Sequence, residues 1–285
     1  MRQGTTGTTI PDTVCCAFGF SFPQHAMHTS WSAQPLIDFA PHRGEKYIAP
    51  EKAGPRQEAM NALRARAQAA RQCFGQLAEH FATAVAHQSP GGALLQMDRV
   101  SHWMNQAQIA RPHFWVYFNH PDDPPGQPGI ALRLFGGTTL ADTGRGTSDT
   151  DDSRLPGAGH AKTGSDISRV TPLGISVEIS CIERKRSGQT LALQNRVLMV
   201  PIQPPLYYHV QRQSGADYER IDGAEANRLQ LQQDLGAGRL RKVLVKYDVP
   251  DMARFPRLDD LTAALQQGLH AVWPHHEATR PDRGT

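Results

Sequence analysis

The sequence predicts an α+β fold: a mainly antiparallel sheet of about five to six strands, packed against two N-terminal helices and a C-terminal helix. Three patterns carry this expectation. Apolar residues recur every three or four positions between 60 and 85, alternate with period two in several stretches between 113 and 249, and return to helical spacing only near the end. Strict alternation of strand and helix, the mark of a parallel sheet, is missing.

Residues 1–44 hold no sustained period. Pro35 and Pro41 break the short apolar runs, so this stretch reads as a flexible N-terminal arm, docking through Trp31, Leu36, Ile37 and Phe39. A single domain is expected over 45–273. Pro55 suits a first helical turn, and Met60, Leu63, Ala67, Ala70, Phe74, Leu77, Phe81 and Val85 form one continuous stripe. Ser89-Pro90-Gly91-Gly92 ends that helix, which spans 56–88. A second helix is expected from Leu94 to Ile109, with Met97, Val100, Trp103 and Met104 inward, and Arg111-Pro112 closing it.

The period then changes. His113–Phe118 reads as a strand apolar on both faces, and Ile130–Phe135 as its partner. Residues 137–168 are rich in Gly, Ser, Thr and Asp and read as a mobile insertion, because they lack the apolar groups that would offset their ordering entropy. Ile175, Val177, Ile179 and Cys181 alternate with polar residues as a half-buried strand does. Lys185–Gln189 reads as a turn, with Thr190–Val200 the returning strand of a hairpin and Leu206–Arg212 another strand. Asp222 and Glu225 predict a capping box for a helix running to Leu235, before Gly236 and Gly238. Leu240–Val249 is a strand with Val243, Val245 and Tyr247 inward and Lys242 and Lys246 outward. Leu258, Leu261, Leu265, Leu269 and Val272 mark the last helix, leaving 274–285 as a polar tail.

Composition narrows the function classes. No apolar run approaches the roughly 20 residues of a membrane helix, so no membrane partner is expected. Cys15, Cys16, Cys73 and Cys181 match no zinc spacing and no Cys-x-x-Cys pair, and the default reading is buried free thiols in a reducing, cytoplasmic compartment. No signal peptide is evident, and Met27 is an alternative start to Met1. The formal charge of +3 favours nucleic acid only mildly, so local clustering matters more.

The run Gly157–Thr163 has Ala161 and Pro156 where a phosphate loop needs glycines, and is rejected as one. No Gly-x-Ser-x-Gly elbow, dinucleotide fingerprint or His-x-x-x-His pair occurs. Glu183 and Lys185 are more informative. An acid and a lysine two residues apart on a strand point the same way, as in metal-dependent nucleases, where the acid holds Mg²⁺ and the lysine positions or deprotonates the attacking water. Such a site needs an earlier acid; Asp122, Asp123 and Asp166 are the candidates. Basic residues recur at Arg184, Lys185, Arg186 and Arg196 on the expected hairpin, and at Arg239, Arg241, Lys242 and Lys246 around the late strand. If those strands are neighbours they form a positive stripe for phosphates, with Trp115, Tyr207 and Tyr208 as stacking surfaces. The sequence therefore reads as a nucleic-acid-associated protein using a basic sheet face. Alternatives are a Mg²⁺-dependent nuclease at Glu183 and Lys185, an assembly protein using helix 56–88 as a partner surface, and a small-ligand pocket at Trp103, Trp115 and Tyr117.

Overall fold

The computed structural model describes residues 31–88, 95–121, 123, 127–137, 172–180, 188–215 and 217–280. Helix α1, Gln34–Phe39, turns Leu36 and Phe39 into the interior against helix α2, Gln57–Gln88. From Trp31 onward the expected arm is thus packed structure; residues 1–30 lie outside the described set. The stripe on α2 is buried along its whole length, from Met60 through Phe74 and Phe81 to Val85. Each large apolar side chain removed from water there contributes about 1.5–3 kcal/mol, more than the helix's intrinsic propensity supplies.

The helix expected over 94–109 does not form. Strand β1, Gln96–Met97, pairs with β2, Trp115–Asn119, and an extended segment follows. The i+3 spacing of its apolar residues is coincidental, and local side-chain bonding wins. Asn105 Oδ1 accepts from the Ile109 amide at 3.0 Å, Gln108 adopts φ 59°, and Met104 bridges Ala110. Arg71 of α2 fastens the segment by donating to the Val100 and Ser101 carbonyls.

The remaining strands are β3, Ile130–Phe135; β4, Gly174–Ser180; β5, Tyr207–Arg212; β6, Tyr218–Asp222; and β7, Leu240–Val249. They make one antiparallel sheet in the order β1-β2-β3-β4-β7-β5-β6 among the described residues, one or two strands more than expected. Edge strand β6 supplies an addition, because Glu219, Arg220 and Asp222 leave it no clear apolar period. The segment read as a returning strand is helix α3, Gly188–Met199. Thr190, Leu193, Gln194, Val197 and Leu198 are buried, which is a three-and-four spacing, and its Leu, Ala and Gln content favours helix. Helix α4, Glu225–Gly236, starts at Ala224 with no side-chain cap, because Asp222 belongs to β6. Helix α5, Leu258–Thr279, runs past Pro274, so the expected tail is helical as far as Thr279. Its last turn is held from outside. His275 contacts the Val197 carbonyl of α3, the Thr279 carbonyl accepts from Gln127, and Arg280 pairs with Asp123.

Helices α2, α3 and α5 cover one face of the sheet. Register aligns Phe118, Ile130, Ile179, Val245 and Tyr208 on that side, and Val116, Leu132 and Val177 beside them. The fit is tight at Gly268 of α5, where a Cβ would lie 2.6 Å from the Tyr247 ring and 3.0 Å from Val177. Strand alternation sends every other residue to the opposite face.

Candidate nucleic-acid interface

Register fixes which side chains share that second face. One row across the sheet reads Trp115–Arg133–Ser176–Asp248 from β2 to β7. The next reads Tyr117–Ala131–Glu178–Lys246–Tyr207–Asp222 from β2 to β6. Two shorter rows, Leu244–His209–Arg220 and Lys242–Gln211–Tyr218, complete it. Its middle is buried (Ala131, Ser176, Glu178, Lys246, Tyr207 and Gln211), while Trp115, Arg133, Lys242, Tyr218 and Asp248 are half-buried and Arg220 and Asp222 are exposed, an unusual charged population for a buried sheet face.

At the centre, Glu178 is fully buried between two cations. Arg133 Nε lies 2.8 Å from Oε1 and Lys246 Nζ 2.7 Å from Oε2. Burial pushes the Glu178 carboxyl up, but Arg133 and Lys246 more than offset it and hold it at about 2. Arg133 also donates to His113 Nε2 at 2.8 Å, which makes that nitrogen the acceptor. Toward β2, Arg111 and Arg133 stand 4.8 and 5.5 Å from the centre of the Trp115 ring. Toward β5 and β6, Arg220 lies 3.6 Å over the Tyr207 ring and donates to Asp248 Oδ2 at 2.9 Å. The Tyr207 hydroxyl donates to Asp248 Oδ1 at 3.0 Å, and burial and that carboxylate push its ionisation far up. His209 stacks on Tyr218 with centroids 4.6 Å apart, and Lys242 Nζ is 6.0 Å from the same ring.

No protein-family model, curated protein or solved structure matches this chain.

The face holds Glu178 ionised and Tyr207 protonated around neutral pH, so neither exchanges a proton there. Glu183, Arg184, Lys185 and Arg186 lie outside the described residues, as do Asp122, Asp166 and the 137–168 insertion from Thr138 on. Among the described residues no group of three or more His, Cys, Asp or Glu is placed to hold a metal ion.

Among the described residues, the expected basic stripe does not assemble. Arg196 sits on α3 and donates to the Arg280 carbonyl at 3.3 Å, in the helical layer. Arg241 is exposed, but alternation turns it away from Lys242. Arg239 is committed to Asp234 at 2.6 Å, beside Arg212. Lys242 is on the second face, whereas Lys246, expected outward, is buried against Glu178. Tyr208 faces the helices and is fully buried; Tyr207 is its neighbour on the second face. Trp103 packs edge-on to Tyr47 in the core, and Trp115 lies instead beside Arg111 and Arg133 on the second face. The apolar stripe of α2 is likewise consumed inside the chain, which removes it as a partner surface.

Arg133, Glu178, Tyr207, Arg220 and Asp248 do not stand out in the sequence as one site. Ser176 and Glu178 between isoleucines and valines show that one face of β4 is polar. Only strand order reveals that Arg133 and Lys246 stand on either side.

Proposed function

We propose that this protein binds nucleic acid through the second face of its sheet. The supporting observation is that cationic side chains stand over or beside Trp115, Tyr207 and Tyr218 on that single face. Arg220 is exposed and would trade Asp248 for a phosphate, Arg111 and Lys242 stand beside half-buried rings, and Trp115 and Tyr218, rather than the buried Tyr207, offer flat surfaces to bases. Lys246 has a different part: with Arg133 it neutralises Glu178 and keeps the middle of the face intact.

The test is fluorescence anisotropy of labelled 20-mer oligonucleotides over 50–300 mM salt. Binding should weaken steeply with salt. Arg220→Ala with Lys242→Ala should lower affinity for all sequences alike and flatten the salt slope by about one for each phosphate that is no longer neutralised. No binding at low salt, or an unchanged slope in a double variant that melts like the parent, refutes the proposal.

A further inference from the structure

We propose that the end of α5 is an acid-released clasp: protonation of His276 frees residues 275–280 from the body of the protein while the sheet stays folded. Two features make this segment a unit of its own. Pro274 has no amide to donate to the His270 carbonyl, so the helix lacks a rung just before it. Beyond that gap the chain is held from outside the helix. His275 Nδ1 lies 3.1 Å from the Val197 carbonyl, and Arg196 donates to the Arg280 carbonyl at 3.3 Å, both from α3. From the connection between β2 and β3, Gln127 donates to the Thr279 carbonyl at 2.7 Å, and Asp123 Oδ1 accepts from Arg280 Nη2 at 3.3 Å.

His276 lies among these tethers. Its side chain is fully buried, its ring centre is 5.0 Å from that of Trp273, and neither ring nitrogen has a hydrogen-bond partner among the described residues. A neutral imidazole tolerates such a place; an imidazolium, with two N–H donors and a full charge, does not. Burial, the largest influence, lowers the imidazole to about 4. Asp123 and the Pro128 carbonyl favour the charged form, while Arg280, one turn on, and His120 oppose it. Asp123 is already engaged by Arg280, their side chains only 8% and 12% exposed, so its charge is shared. From α3, Arg196 reaches the Arg280 carbonyl; from α2, His80 meets Asp259 at the opposite end of α5. His275 acts in the same direction, because burial lowers it too, against the pull of the Val197 carbonyl. With the clasp open, His276 titrates near 6.5; closed, near 4. The open form therefore binds the extra proton between those values, and its population rises about twentyfold from pH 7 to pH 5.

The experiment is hydrogen exchange read by mass spectrometry on the full chain at pH 7, 6 and 5, with and without urea below the unfolding transition. Each rate is divided by that of an unstructured peptide at the same pH. Peptides over 275–280 should lose protection about twentyfold from pH 7 to pH 5. Their exchange should stay flat in urea at each pH, because a local opening exposes little surface, whereas exchange in β4 and β7 should rise with urea. His276→Leu should abolish most of the pH dependence. Gln127→Ala, which removes one tether, should speed exchange of 275–280 by the same factor at pH 7 and pH 5 and leave the pH dependence in place. Protection of 275–280 that does not change with pH overturns the proposal. So does exchange of that segment that climbs with urea as steeply as β4, which would mean that only global unfolding releases it. A pH dependence that survives His276→Leu undiminished overturns the assignment to that residue.

Discussion

Glu178→Gln is the most informative single substitution. It preserves shape but leaves Arg133 and Lys246, whose side chains are only 11% and 7% exposed, sharing a buried site without their counter-charge. A carboxyl held at about 2 rather than 4.5 contributes about 3 kcal/mol of stability at neutral pH. Because its folded value lies below its unfolded one, this stabilisation is complete above pH 4.5 and disappears as pH falls toward 2. Removing one member of a buried ion pair costs about 3–5 kcal/mol by an independent route, so the two figures agree. With a urea slope near 3 kcal/mol/M for a chain of this size, the midpoint at pH 7 should fall by about 1–1.5 M. Lys246→Met in the same background should recover part of the loss, giving a coupling above about 1 kcal/mol in the double-mutant cycle. A midpoint shift under about 0.3 M, or strictly additive losses, would show that the three charges are hydrated and that the centre of the face is not organised as described.

Other outcomes follow from packing and burial. His276 is fully buried, and desolvation lowers its imidazole to about 4. Its folded value lies below 6.5, so the unfolded chain binds the extra proton and stability drops by about 2 kcal/mol between pH 7 and 5. A melting series should show that slope, and His276→Leu should flatten it. Gly268→Ala drives a methyl into Tyr247 and Val177, and overpacking of about 1–3 kcal/mol outweighs the gain in helix propensity, lowering the melting midpoint by several degrees. Gly236→Ala, at the end of α4 with open space around it, should leave the midpoint unchanged or raise it slightly.

Much of the architecture is legible in the chain because burial on one side imposes a period. Strands β4 and β7 and helices α2 and α5 reveal themselves this way, whereas β2 shows as a run apolar on both faces and α4 is marked by its flanking Asp222, Glu225 and glycines. Where two periods coincide, the pattern misleads. Leu191, Leu193, Val197 and Met199 satisfy alternation, while Leu193, Val197 and Leu198 satisfy a helix, and only tertiary packing on α5 decides between them. Pro274 looks like a terminus, yet contacts made by His275, Thr279 and Arg280 carry the helix past it. The candidate site is the least legible part, since its residues come from six strands and their adjacency depends on order and register. Lys246 illustrates the point: its spacing marks it as outward, and Glu178 on the neighbouring strand decides its actual role.

The strand order has a consequence for biosynthesis. The last strand in the sequence, β7, lies in the interior of the sheet, with β4 on one side and β5 on the other. Until Leu240–Val249 leaves the ribosome, the growing chain holds two fragments, each with a raw edge of unpaired amides and carbonyls. A nonsense codon between residues 223 and 240 would therefore release not a shortened version of this fold but two unjoined sheet fragments, each a ready template for aggregation.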